Sequence, residues 1–275
     1  MAKVKGQLHS DLVKGSVGPV THRLYRGVGT ASKRRSPNRV RIAKRWIGSP
    51  LDLPGCFSCH SADIGCTLRI LPPDSFIKSI SDQVGGFGTL SQLIDVNQPN
   101  WFPSDPAHGD KPYILPDGVD DNLSTLPIVT PFGLPFDVWI IAADCGVPPF
   151  GRALFNLSSV FNLLFYAHGS PSYMWVWTAP TVPLLAPWSN RTTKVWRIKF
   201  DYGTIQVFWN GIPMSIPKLI PTPAFNRLQL FASYLGTTPY NSRLFEIATF
   251  RRILNPVETQ LLLSYYYDVY NLPAS

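Results

Sequence analysis

Glutamate, charge in general and long apolar runs are all scarce in this chain. No apolar stretch reaches the roughly 18 residues that a bilayer-crossing helix requires, which excludes an ordinary membrane span. Charged residues make up only 15% of the sequence, against 27 Pro and 20 Gly, a mixture that disfavours long helices and suits short strands joined by many turns. The five histidines, at 9, 22, 60, 108 and 168, are widely scattered. No Ser-His-Asp order, phosphate-binding loop or dinucleotide fingerprint accompanies them. The opening "MAKVKGQLHS" has no apolar segment of the kind a secretory signal carries, so folding in a cytoplasm is expected. What the chain does have is apolar bulk: 45% hydrophobic residues, including 16 Phe, 11 Tyr and 8 Trp, within 275 residues. That is enough for one large core, or a core plus an appendage.

The net charge of +8 is unevenly placed. Residues 1–45 hold 12 Lys or Arg against the single acid Asp11, whereas residues 46–275 hold 13 basic and 16 acidic residues. A basic arm therefore precedes a mildly acidic body. Its densest part, "KRRSPNRVRIAKR", carries Lys33, Arg34, Arg35, Arg39, Arg41, Lys44 and Arg45, and Ser36 and Pro37 interrupt any continuous helix. Such an arm either anchors the protein on an acidic protein surface or contacts nucleic-acid phosphate.

The next segment contains "CFSCHSADIGC", with Cys56, Cys59, His60 and Cys66. Read literally, C-x-x-C-H is the haem attachment signature, but no export signal accompanies it and no axial partner stands out. Zn²⁺ is a better chemical match for Cys56, Cys59, Cys66 and His60, although the usual second ligand pair at long spacing is missing and His60 next to Cys59 would strain shared coordination. Ordinary, partly buried thiols are the plain alternative.

Beyond residue 72 the pattern is of strands and turns. "PFDVWIIAAD" is long enough to cross a sheet, and "VWRIKFDY" and "TIQVFWNGIPMSI" alternate around "DYG", with Asn210-Gly211 as a type I′ hairpin signal. At the end, Asn255, Pro256 and Glu258 form a cap, first-turn and N3 set, and Leu261, Leu262, Tyr265 and Tyr266 fall on one face of a short helix. The expected architecture has a basic arm at 1–49, a Cys-containing connection at 50–71 and a sandwich at 72–275.

In order, "NQPNWFPS", "KPYILPDGVDDNLS", "FDVWIIAA", the "W…NG" strands, "FEIATFRRIL" and "NPVETQLLLSYYYDVYNL" resemble the concanavalin A-like lectin/glucanase superfamily, in its laminin-G-like form, over residues 72–273. The arm segment "KGSVGPVTHRLYRGVGTASKRR" more loosely resembles N-terminal segments of phage structural proteins. The resemblance implies an all-β fold, a concanavalin A-like antiparallel β-sandwich (jelly roll) with a short C-terminal helix and an extended basic N-terminal arm. It also implies a virion structural protein, anchored by its arm, with other copies of itself, other capsid proteins and viral nucleic acid as partners. The paired-carboxylate motif of the superfamily's glucanases is missing, so no enzymatic activity is expected. A lectin-like carbohydrate-binding module is the alternative, and a nucleic-acid-binding structural protein a second one. For glycan or interface contact the loop aromatics Trp101, Trp188 and Tyr240 are the candidates. Asp117, Asp120 and Asp121 in the acidic turn are either a backbone-bonded corner or hard-oxygen donors for Ca²⁺.

Overall fold

The computed structural model describes residues 20–25, 28–33, 48–131, 133–143, 152–157, 164–168, 173–177, 186–187, 193–214, 218–219, 225–231 and 243–272. Contacts divide the chain into two units, Met1–Trp46 and Ile47–Ser275. In the first, β1 (Val20–Tyr25) and β2 (Val28–Lys33) pair antiparallel from Val20↔Lys33 to Tyr25↔Val28. The described part of the basic arm is thus a hairpin rather than an extended segment.

The second unit is all-β with one C-terminal helix, and its strands form one continuous antiparallel network. In chain order these are β3 (Cys56–Ser61), β4 (Cys66–Leu71), β5 (Asp74–Ile80), β6 (Leu90–Ser91), β7 (Asn100–Phe102), β8 (Tyr113–Leu115), β9 (Leu123–Ser124) and β10 (Phe136–Ala143). They continue with β11 (Arg152–Asn156), β12 (Leu164–His168), β13 (Tyr173–Trp177), β14 (Ala186–Pro187), β15 (Thr193–Asp201), β16 (Thr204–Trp209), β17 (Ile212–Pro213), β18 (Lys218–Leu219), β19 (Gln229–Leu230) and β20 (Leu244–Phe250). The helix, α1, spans Pro256–Val269. Within this unit β3 pairs along β20 and β4 along β5.

Strand β10 organises the interior. It is buried along its whole length, with β15 on one side and β20 on the other. Successive side chains of a strand point to opposite faces, so β10 serves two cores. Phe136, Val138, Ile140 and Ala142 pack with Trp196, Ile198 and Phe200 of β15 and with Ile77, Leu90, Leu123, Leu154 and Leu230 from the other arm of the network. On the opposite face, Trp139 and Ile141 join Val195, Phe250 and the helix residues Leu262, Leu263 and Tyr266.

Helix α1 begins where its sequence signature indicates. The Asn255 side chain accepts from the Glu258 N–H, the Glu258 carboxylate accepts from the Asn255 N–H, and Pro256 fills the first turn. The buried stripe is Leu262, Leu263 and Tyr266, rotated slightly from the expected face, with Leu261 and Tyr265 at its half-buried margin. At Asn210-Gly211 both φ angles are positive (49° and 81°), as a type I′ turn requires. A side chain at Gly211 would also run into Leu263, its Cβ 2.8 Å from Leu263 Cδ1, so the glycine permits the helix to lie against the hairpin.

Candidate functional site

The acidic turn is first of all a self-bonded corner. Asp121 accepts from the Asp117 N–H at 2.7 Å, Asp117 accepts from the Val119 N–H at 2.7 Å, and Gly118 supplies φ 80°. The same folding brings carboxylate oxygens of Asp117, Asp120 and Asp121 within 4.8 Å of one another, the one such convergence of three His, Cys, Asp or Glu side chains among the described residues. Burial, together with the Asp117 and Asp120 charges, pushes the Asp121 carboxyl up from 3.8 to about 6, against the pull of its bond from the Asp117 N–H. A cation held there would relieve that repulsion, so the three acids suit a metal chemically.

The cysteine segment does not assemble into a zinc site. Cys66 Sγ turns to the carbonyls of Ser61 and Ala62 at 3.5 and 3.4 Å, and His60 spends both ring nitrogens on Ser58 Oγ (3.2 Å) and the Gly88 carbonyl (2.9 Å). Burial pushes the Cys56 thiol up to about 12, Cys66 to about 11 and Cys59 well above its ordinary value. Cys56, Cys59 and Cys66 are side chains of strands β3 and β4, and among the described residues they do not converge as the three acids of the turn do.

Trp101 is tied into the body of the fold. It packs half-buried against the larger core, and its Nε1 donates to the Ala62 carbonyl at 3.0 Å. Trp188 and Tyr240, with Arg34, Arg35, Arg39, Arg41, Lys44 and Arg45 of the arm, lie outside the described residues; Lys33 closes β2.

A cleft unanticipated from the sequence opens where the β15–β16 ribbon passes the start of α1. Register places Arg197 opposite Phe208, Lys199 opposite Gln206 and Asp201 opposite Thr204, all on the sheet face that α1 covers only in part. The open space is about 510 Å³ and is lined by Arg197, Lys199, Phe208, Asn255 and Thr259, with Gly211 and Leu254 at its edges. Arg197 is its fixed point. Its Nε and Nη2 donate to the fully buried Asp137 carboxylate at 2.9 and 2.7 Å, Nη2 also to the Leu254 carbonyl at 3.2 Å, and Nη1 to Thr259 Oγ1 at 3.2 Å. Asp137 also accepts from the Leu254 N–H, so one ion pair clamps the corner between β20 and α1 to the sheet. The Arg197 guanidinium lies over the Phe208 ring, 5.3 Å from Cζ to the ring centroid, and Lys199 pairs with Asp201 at 2.9 Å near the ribbon's end. The arrangement joins an aromatic ring to a row of hydrogen-bonding side chains, equipment for a flat, hydroxyl-rich ligand. The signal in the sequence was the alternation in "WRIKFD", which sets Arg197, Lys199 and Asp201 on one face, but only the position of α1 turns that face into a cleft.

A second, smaller cavity of about 40 Å³ lies against β20 and α1, lined in part by Cys59, Ser61, Asp63, Lys111 and Glu246. Glu246 is buried; Tyr270 Oη donates to its Oε2 at 2.9 Å, while Oε1 has no partner among the described residues. Tyr266 Oη faces the same carboxyl without a well-aligned hydrogen bond to it. Burial dominates and pushes the Glu246 carboxyl from 4.5 up to about 7.

No family model and no curated protein matches this chain. Solved structures do match in fold. Domain 4 of AbnA, a GH43 extracellular arabinanase from Geobacillus stearothermophilus in complex with arabinotriose, is 12% identical with a TM-score of 0.54, covering 75% of this chain and 98% of that one. A mutant of GH54 α-L-arabinofuranosidase soaked with 4-nitrophenyl α-L-arabinofuranoside is 9% identical with a TM-score of 0.54, covering 78% of this chain and 63% of that one. Trypanosoma rangeli sialidase in complex with the inhibitor DANA is 10% identical with a TM-score of 0.49; the match covers 78% of this chain but only 33% of the sialidase. The arabinanase domain and the arabinofuranosidase overturn the assignment to a phage or viral structural protein, because these two structures of like fold come from glycan-acting enzymes. The virion location is withdrawn with it, as are further copies of the chain, capsid proteins and nucleic acid as partners. So is the exclusion of enzymatic activity. Among the described residues no helix is long and apolar enough to cross a membrane.

Proposed function

We propose that this chain is a carbohydrate-binding module with a concanavalin A-like, two-sheet jelly-roll body, and that oligosaccharide binds in the cleft between β15–β16 and the start of α1. The observation that carries the reading is the cleft itself: a Phe208 ring beside the clamped Arg197 guanidinium, with Lys199, Asn255 and Thr259 around about 510 Å³ of open space. Sugar rings present a C–H face to an aromatic ring and hydroxyls to polar neighbours, and both kinds of contact are available here. The likeness in fold to an arabinanase domain that holds arabinotriose supports the same direction. In this reading the acidic turn is a Ca²⁺ site, with Asp117, Asp120 and Asp121 supplying three of the six to eight oxygens the ion takes.

Calorimetric titration of the full chain against a panel of oligosaccharides, arabinotriose included, tests the reading. Binding to at least one oligosaccharide, weakened about tenfold or more by Phe208→Ala, is the expected result. Binding that ignores Phe208→Ala would move the site elsewhere, and no binding across the panel would refute the function.

A further inference from the structure

The cleft has a charge that its surroundings do not share. Residues 46–275 are mildly acidic, with 16 acidic against 13 basic residues, yet among the described residues the charged side chains lining the cleft are two cations, Arg197 and Lys199, whose partners Asp137 and Asp201 are not part of the lining. We propose, resting on the carbohydrate-binding reading above, that the oligosaccharide this cleft selects is anionic, carrying a uronate carboxylate on the sugar that sits over Phe208.

Three features of the geometry favour the carboxylate. Arg197 is nine-tenths buried, and four of its five N–H groups are taken by Asp137, the Leu254 carbonyl and Thr259. The remaining Nη1 hydrogen has no acceptor among the described residues, and a guanidinium held this rigidly offers it at little entropic cost. Lys199 is the second cation. Its partner Asp201 belongs to an ion pair whose side chains are 27% and 37% exposed, and a pair that open to water is weak enough for a ligand carboxylate to compete for the ammonium. The start of α1 at Asn255 and Pro256 forms the third wall, where the helix dipole adds positive potential. Neutral sugars would satisfy the ring and the hydrogen bonds but offer neither Lys199 nor the remaining Nη1 hydrogen an anionic acceptor, so the discrimination resides in the carboxylate.

The test is titration of the full chain with trigalacturonate and, separately, with the neutral trimer arabinotriose, each at about 50 and about 500 mM NaCl, with a span of salt chosen because it cuts the Debye length several-fold. The proposal expects the uronate trimer to bind at least tenfold more tightly at low salt, with most of that preference lost at high salt. Lys199→Gln is expected to weaken the uronate more than the neutral trimer, so that the preference between them falls about tenfold. Circular dichroism of Lys199→Gln checks its folding, and the salt series on the unaltered protein stands without it. Equal or tighter binding of arabinotriose, or a uronate preference indifferent to salt and to Lys199, overturns the anionic ligand and leaves the carbohydrate-binding reading intact. Failure of both trimers and of the wider oligosaccharide panel overturns both.

Discussion

Glu246→Gln should stabilise the protein in neutral and alkaline solution, and by an amount the structure sets. Glu246 is buried between β20 and α1, with Tyr270 as its one hydrogen-bond donor and Oε1 unpartnered among the described residues. Its carboxyl is raised from 4.5 to about 7, with desolvation the main cause and the Tyr270 bond, the Tyr266 hydroxyl and the Lys111 charge pulling the other way. Between those two pH values the folded chain keeps this proton while the unfolded chain has released it. The unfolded state therefore gains stability relative to the folded one as pH rises from about 4.5, and the loss levels off above about 7. At 1.36 kcal/mol per tenfold change in proton affinity, the total loss is about 3 kcal/mol. Glutamine keeps the shape and an acceptor for Tyr270 but has no proton to lose, so its variant escapes that loss. Urea unfolding followed by tryptophan fluorescence, at pH 5 and pH 8 for both proteins, isolates the effect, since groups common to both, Asp121 among them, cancel in the difference. The variant should gain about 2–3 kcal/mol on the wild type between the two pH values. A constant difference between the proteins at both pH values would refute the reasoning and mean that Glu246 is ionised in the folded state at pH 5, held so by groups the burial argument underweights.

The other predictions concern the turn, the hairpin and the helix cap. Ca²⁺ should raise the melting temperature of the wild type and not of Asp120→Asn with Asp117→Asn, read by differential scanning fluorimetry at pH 7.5; an equal rise in both proteins would remove the metal from this turn. Asn255→Ala removes the side-chain acceptor for the Glu258 N–H and should cost about 1 kcal/mol in urea unfolding. Gly211→Ala must adopt a positive φ and displace Leu263, for a cost of about 1–3 kcal/mol, whereas alanine at the glycine of the Tyr202-Gly203 turn, with open space around its Cβ, should cost only the conformational part.

Local signals were legible in the sequence where they depend on a few adjacent residues. Asn210-Gly211 announced its turn because two consecutive positive φ angles leave few alternatives, and Asn255, Pro256 and Glu258 announced the helix start because the reciprocal cap is complete within four residues. The β10 strand was legible too, since a run apolar in all but Asp137 between turn residues is what a strand buried on both faces looks like. What escaped depends on residues distant in sequence. Cys56, Cys59 and Cys66 suggest a metal by spacing, but strands β3 and β4 aim them at carbonyls and into the core. Trp101 looks like a loop aromatic among Pro and Ser, yet its indole N–H is spent on Ala62, 39 residues earlier. The cleft was invisible for the same reason, because its walls come from β15, β16 and α1, and the Asp137–Arg197 pair that clamps them joins residues 60 apart.

That pair ties ligand binding to folding, and Arg197→Lys separates the two. Lysine keeps the charge that Asp137 needs, so the buried carboxylate is not left alone, but a single ammonium cannot reproduce the fork that reaches Asp137, Leu254 and Thr259 together. The lost bonds to the Leu254 carbonyl and Thr259 hydroxyl should cost about 2–3 kcal/mol of stability, less than the roughly 3–5 kcal/mol expected when a partner is deleted outright, as in Arg197→Met. Ligand binding should fall further than stability alone explains, because the β20–α1 corner that forms one wall is clamped by those same bonds. Unfolding and titration on the same preparations decide it. Lys199→Gln should weaken binding with stability nearly unchanged, and Arg197→Lys should weaken both. If Arg197→Lys binds oligosaccharide as the wild type does while losing stability, the clamp serves the fold alone and the cleft is not where the ligand sits.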